Sequence, residues 1–157
     1  MDIKIGDLTH PQVIQLLMEH LEDMYATSPA DSVHALDLDA LQAEDVTFYT
    51  CWKQDMLLGC VAIKRLDAES AELKSMRTKI EARNQGVGAR LLEHVLFEAK
   101  SMGFKTISLE TGSHNFFESA CRLYEKFGFE YCEPFADYLP DPHSLFMCYD
   151  FKHWQQS

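Results

Sequence analysis

A mixed α/β domain, built on a mainly antiparallel sheet with helices between strands, is predicted by three observations on the 157-residue chain. Residues 46–78 alternate apolar and polar side chains in three successive runs, VTFYTCW, MLLGCVAIKRL and AELKSMRT, parted by short polar turns. Beyond Gly88 the apolar positions change to helical spacing, through Leu91, Leu92, Val95, Leu96 and Ala99. A further strand-like run, FKTISLET, follows that helix, so strand, helix and strand form a crossover that sets two strands parallel.

The remaining elements can be read in order. IKIGD near the start alternates as a short strand. Thr9, His10 and Pro11 supply a cap and first turn for a helix whose apolar stripe is Val13, Leu16, Leu17, Leu21 and Met24. The interval TSPADSVHALDLDALQAED is rich in Pro, Ser and Asp and holds only a short helical segment at Leu38 to Leu41. Turns are expected at Lys53 to Asp55 and at Asp67 and Ala68, and Gly103 is expected to end the long helix. FESACRLYEKF reads as a helix closed by Gly128, and FEYC and SLFMCYDF as strands parted by an excursion from Pro134 to Pro142.

With 46 % hydrophobic residues, one domain spanning 1–157 can bury a sizeable core, and no repeat or low-complexity linker divides it. The formal charge of −11, from 25 acidic against 14 basic residues, opposes broad binding to a nucleic-acid backbone and suits an amine substrate. No run approaches the roughly 18 to 20 apolar residues that cross a bilayer, and MDIKIGDLTHPQ lacks a secretory pattern, so a cytoplasmic protein without membrane partners is expected. Five cysteines without a close pair read as reduced, mostly buried thiols, and no HExxH or Cys/His series calls for a metal.

The chemistry-bearing stretch is RNQGVG, residues 83 to 88, between the third strand of the meander and the long helix. A helix start presents unpaired N–H groups with partial positive charge, and glycine lets the backbone approach an anion closely. The run is neither a Walker A loop nor a GxGxxG fingerprint. Two glycines alone are equally an ordinary tight turn.

RNQGVG nevertheless matches the R/Q-x-x-G-x-G/A cofactor loop of the GNAT family of N-acetyltransferases, and RLYEKFGF at 122–129 is similar to that family's second core signature. The order of AELKSM, loop, helix, ISLET, helix and GFEYC resembles the family over roughly residues 70 to 132. The resemblance implies a twisted, mainly antiparallel sheet flanked by helices and splayed at the cofactor site. It implies acetyl-CoA as acyl donor, with its pyrophosphate on the backbone of Arg83, Asn84, Gln85, Gly86, Val87, Gly88 and Ala89. The pantetheine arm would lie along Met76, Arg77 and Thr78, with a backbone N–H near Met76 or Arg77 polarising the acetyl carbonyl. Members often carry an Asn at the position of Phe117; Asn115 in SHNFFES takes that role if the turn is longer.

Direct transfer to a primary amine needs a base and an acid for the leaving thiolate. The resemblance makes Tyr124 the acid, with plain packing of its ring as the alternative. Glu72, eleven residues before Arg83, takes the place of the strand Glu that serves as base in histone-type members, with an exposed Glu or a salt-bridge partner as the alternative. Glu110, at the end of ISLET, competes for that role or orients substrate. His34 is the substrate-facing expectation from the irregular region that roofs the acceptor pocket in the family, and His114 is a further neutral-pH candidate. Cys121 has no His partner in view, which disfavours an acetyl-cysteine route. A non-catalytic acyl-CoA-binding or regulatory module remains the competing function, and homodimerisation through an edge strand or FADYLPDPHSLF stays open.

Overall fold

The computed structural model describes residues 1–29 and 38–154. Seven strands form one sheet in the order β1-β2-β3-β4-β5-β7-β6. They are β1 (Asp2–Ile5), β2 (Val46–Lys53), β3 (Met56–Arg65), β4 (Ser70–Thr78), β5 (Thr106–Gly112), β6 (Glu130–Tyr131) and β7 (Ser144–Asp150). Only β4 and β5 pair in parallel; every other neighbour is antiparallel. The crossover between them is α3 (Val87–Ser101), as the change of period predicts. The other helices are α1 (Pro11–Thr27), α2 (Leu38–Leu41) and α4 (Glu118–Lys126).

Each face of the sheet carries its own core. On one, α3 buries Val87, Leu91, Leu92, Val95, Leu96 and Ala99 against Val61, Ile63, Leu73, Ile107 and Leu109. Burying each Val or Leu contributes about 1.5–3 kcal/mol, which is why the apolar spacing of this helix was a dependable signal. On the other, α1 places Val13, Leu16 and Leu17 over Phe48, Trp52, Leu57, Cys60 and Ala62. His10 caps α1 by accepting the Gln12 N–H at Nδ1 (3.1 Å), ahead of Pro11 at the first helical turn.

α3 starts at Val87, two residues before the expected Ala89, because Gly86 in the left-handed region (φ +82°) is its N-cap. The strand expected over FEYC is shorter, Glu130–Tyr131, although the Cys132 N–H still reaches the Phe146 carbonyl at 2.8 Å.

A single irregularity of β4 positions the site. Cys60 of β3 faces Arg77, but Ala62 faces Lys74, so Val61 alone stands opposite Ser75 and Met76. Ser75 takes φ +54° at this bulge. A bulge bends its strand and strengthens the twist. Pairing of β4 with β5 accordingly runs only from Ser70/Thr106 to Leu73/Leu109, whereas β5 keeps its register with β7 as far as Gly112. The two parallel strands therefore diverge, and the second half of β4 offers a backbone edge that β5 does not pair.

Candidate functional site

The divergence of β4 and β5 opens a cleft of about 80 Å³, lined among others by Glu72, Ser75, Met76, Glu110, Phe117 and Tyr124. Two ends can be distinguished. One is made mostly of backbone and leads to the start of α3; the other is made of side chains on the α1 face of the sheet.

At the α3 end, the first intrahelical bond is Arg90 N–H to Gly86 O (3.0 Å). The N–H groups of Val87, Gly88 and Ala89 thus precede the helical ladder. A Cβ on Gly86 would meet nothing within 4 Å, so its glycine answers to the left-handed backbone and an open approach, whereas one on Gly88 would lie 3.0 Å from Leu123 Cδ2 of α4. Asn84 also has positive φ (+65°), so the chain curls twice within three residues before the helix. Gln85 Nε2 donates to the Glu81 carbonyl (3.4 Å), which ties down the loop's first turn. Curled backbone, donors at a helix mouth and open space beside Gly86 fit a diphosphate.

Along the cleft, Met76 lies partly exposed at the bulge, and the Thr78 hydroxyl stands 3.8 Å from the place a Gly88 Cβ would take. Arg77 behaves differently. Its side chain turns to α1, where Nη1 pairs with Asp23 Oδ2 at 2.5 Å and only 5 % of the residue is exposed. Tyr124 of α4 is 6 % exposed, and its hydroxyl donates to Met76 Sδ at 3.7 Å. Burial first, and the neighbouring Cys121 second, hold its phenol well above the ordinary value, so it is an O–H donor throughout the physiological range. A phenol already pointing at sulfur is suited to donate to a thiolate.

On the α1 face, Glu72 is 3 % exposed, and its Oε2 accepts from Tyr138 Oη (2.5 Å) and Lys74 Nζ (3.1 Å). Lys74 also donates to Tyr138 Oη (2.8 Å), closing a three-membered network. Burial first and the Glu72 charge second keep the Tyr138 phenol protonated. Neither Lys74 nor Tyr138 was singled out from sequence. Tyr138 belongs to the Pro134–Pro142 excursion, which packs through Phe135, Tyr138 and Phe146 rings with centroids 5.1–5.9 Å apart. The one available signal was an aromatic pair three residues apart inside a Pro- and Asp-rich loop.

Glu72 and Lys74 also line a second, wider groove of about 1080 Å³, walled by the β3–β4 turn and by the excursion. The carboxylate therefore stands where a broad entrance meets the narrow cleft. Glu110, also in the cleft, accepts from Ser144 Oγ at 2.7 Å.

Other expectations fall outside. Asn115 lies exposed in the turn Asn115–Phe117 and does not line the cleft, while Phe117, 8 % exposed, fills the position beside it. His114 is exposed and lines a separate hollow with His143. His34 lies outside the described residues. Burial raises the Cys121 thiol and pushes Cys60 up to about 12, which keeps both protonated and poor nucleophiles. Among the described residues no group of three or more His, Cys, Asp or Glu is placed to hold a metal, and no helix is long and apolar enough to cross a membrane.

Comparison with known proteins agrees with this architecture. The sequence matches the Acetyltransferase (GNAT) family over residues 11–129. It is 50 % identical over 147 residues to the uncharacterized N-acetyltransferase YsnE of Bacillus subtilis (strain 168), covering 94 % of this chain and 97 % of that one. It is 40 % identical over 138 residues to the IAA acetyltransferase of Azospirillum brasilense, covering 87 % and 86 %. A Klebsiella pneumoniae subsp. pneumoniae MGH 78578 structure, provisionally described as an acyl-CoA N-acyltransferase, superposes with a TM-score of 0.77 at 26 % identity over 95 % of this chain and 96 % of that one. The splayed parallel pair, the glycine-capped helix and the extent of the match lead to one conclusion: the chain belongs to the Acetyltransferase (GNAT) family.

Proposed function

We propose that the protein transfers the acetyl group of acetyl-CoA to a primary amine by direct attack in a ternary complex. The observation that carries this reading is the placement of a buried phenol and a buried carboxylate in one cleft, at the bulge where β4 leaves β5. Acetyl-CoA supplies, when bound, a thioester whose acyl carbon is open to an amine.

The residues divide the work as follows. Val87, Gly88 and Ala89 N–H groups, with the curled backbone of 83–86, bind a diphosphate through partial charges that need no side chain. The unpaired edge of β4 at Met76 to Thr78 orients an extended arm by backbone hydrogen bonds. Glu72 keeps Oε1 for the acceptor, because Lys74 and Tyr138 both occupy Oε2, and takes the amine proton directly or through one water. Glu110, held by Ser144, orients the amine from the facing strand. Tyr124 delivers its proton toward sulfur. Phe117 narrows the cleft and excludes water.

Purified protein is tested by calorimetry with acetyl-CoA and by thiol release over a panel of primary amines, with IAA added because the Azospirillum relative is named for it. Binding together with amine-dependent release, lost in Glu72→Gln, supports the proposal. Binding without turnover for every acceptor would favour a non-catalytic acyl-CoA-binding module, and no binding by a folded sample would remove the assignment.

A further inference from the structure

The buried side-chain nitrogen and oxygen atoms left without a hydrogen-bond partner among the described residues are three: Ser75 Oγ, Arg77 Nε and Arg77 Nη2. All three sit on one short stretch of β4, at the bulge. Buried polar groups are ordinarily paired, and a cluster that is not calls for a partner the described residues do not provide. Ser75 lines the cleft, and so does His20, whose imidazole feels the Arg77 charge. Asp23 satisfies only Nη1 of the guanidinium, and Asp23 is itself partly exposed. His20, held neutral by burial and by Arg77, adds no second cation to be balanced.

What is missing is a hydrogen-bond acceptor for these three donors. Arg77 Nε and Nη2 form the forked pair of donors that matches two oxygens of a carboxylate, and Ser75 Oγ, two residues earlier on β4, is a third donor. Lys74, which lines both cleft and groove, is already paired with Glu72 at 3.1 Å, so the donors on this strand that await an acceptor are those of Ser75 and Arg77. Ser75 at the bulge lines the same cleft as Glu72, and Arg77 follows it along β4, so the orphaned donors and the carboxylate belong to one strand.

We propose that the acceptor carries a carboxylate as well as its amine, and that Ser75 Oγ with Arg77 Nε and Nη2 receive that carboxylate. The substrate class is an amino acid or other amino carboxylate, bound as a zwitterion with its two charged groups on either side of the bulge. This rests on the proposed acyl transfer and narrows its acceptor.

The test compares glycine, L-alanine, L-lysine and L-phenylalanine with their amides, with acetyl-CoA as donor. The acids are expected to show kcat/KM at least about 10-fold above the matching amides, the effect of a hydrogen bond to a charged group. In Ser75→Ala, a small change that leaves the guanidinium in place, the acid-to-amide ratio is expected to fall several-fold through KM; in Arg77→Met it falls further. Equal rates for acids and amides, or a ratio unmoved in folded Ser75→Ala, would overturn the proposal. Where acetyl-CoA binds but no amine is turned over, the acyl-transfer reading fails separately. Calorimetry with N-acetylglycine against N-acetylglycinamide, in the presence of CoA, then decides the anion site. Tighter binding of the acid upholds it, and equal or absent binding, meaning that water alone fills the bulge, refutes it.

Discussion

The two ends of the cleft are built in opposite ways. The α3 end is mostly a stretch of backbone: Asn84 and Gly86 set the curl, and Val87 to Ala89 bring the donors. The α1 end gathers His20 and Asp23 from α1, Glu72, Lys74 and Arg77 from β4, Glu110 from β5 and Tyr138 from a distant loop. The first is local in sequence and tolerant of side-chain change; the second exists only after folding and depends on each partner. On the proposed function, recognition of a common cofactor is inherited as a motif, while recognition of an acceptor is assembled anew.

Substitutions at the two ends should separate cofactor binding from chemistry. The largest effect is expected at the junction: Tyr124→Phe should lower kcat by on the order of 10²-fold or more while acetyl-CoA affinity changes little, measured by steady-state rates and calorimetry. A comparable loss in affinity instead would make the phenol part of the cofactor end.

Next comes acid stability at the α1 side. His20 is pushed down to about 4, by burial first and by Arg77 second, from an ordinary 6.5. Between those values the unfolded chain binds more protons than the folded one, so this contribution is complete above about pH 6.5 and is lost as pH falls toward 4. It amounts to at most about 3 kcal/mol. In urea melts across pH 4 to 7, wild type should lose up to about 3 kcal/mol more stability toward the acid end than His20→Gln does; parallel curves would show that His20 does not titrate in this way.

At the backbone end, Gly86→Ala should cost about 1–2 kcal/mol through its left-handed φ alone, since a methyl group there meets nothing. Gly86→Asn should cost less, and both should weaken acetyl-CoA binding without altering acceptor preference. A change in acceptor KM would deny the separation of the two ends. The smallest effect is expected for Tyr138→Phe, which removes a donor from Glu72 and should raise acceptor KM a few-fold, about 0.5–1.5 kcal/mol, with cofactor affinity unchanged.

How much was legible follows the same division. The meander, the crossover and both long helices could be read because their apolar periods reflect burial on one face. RNQGVG and RLYEKFGF pointed to the family because backbone geometry demands glycine at a fixed offset from a helix. The bulge had no such mark: Ser75 is not glycine, yet it holds a positive φ where the β3–β4 register shifts. Asn115 illustrates the converse, a residue of the right type that the turn leaves in solvent.

By itself the sequence determined the order of the elements, the faces they bury and the cradle at the start of α3, because these depend on neighbours within a turn or a strand. Only the tertiary structure decided that Glu72 meets Tyr138, that Arg77 turns from the cofactor side to Asp23, and that β4 parts from β5 after Leu73. Those outcomes are set by long-range packing and by pairing of buried charges, and such constraints leave no periodic trace along the chain.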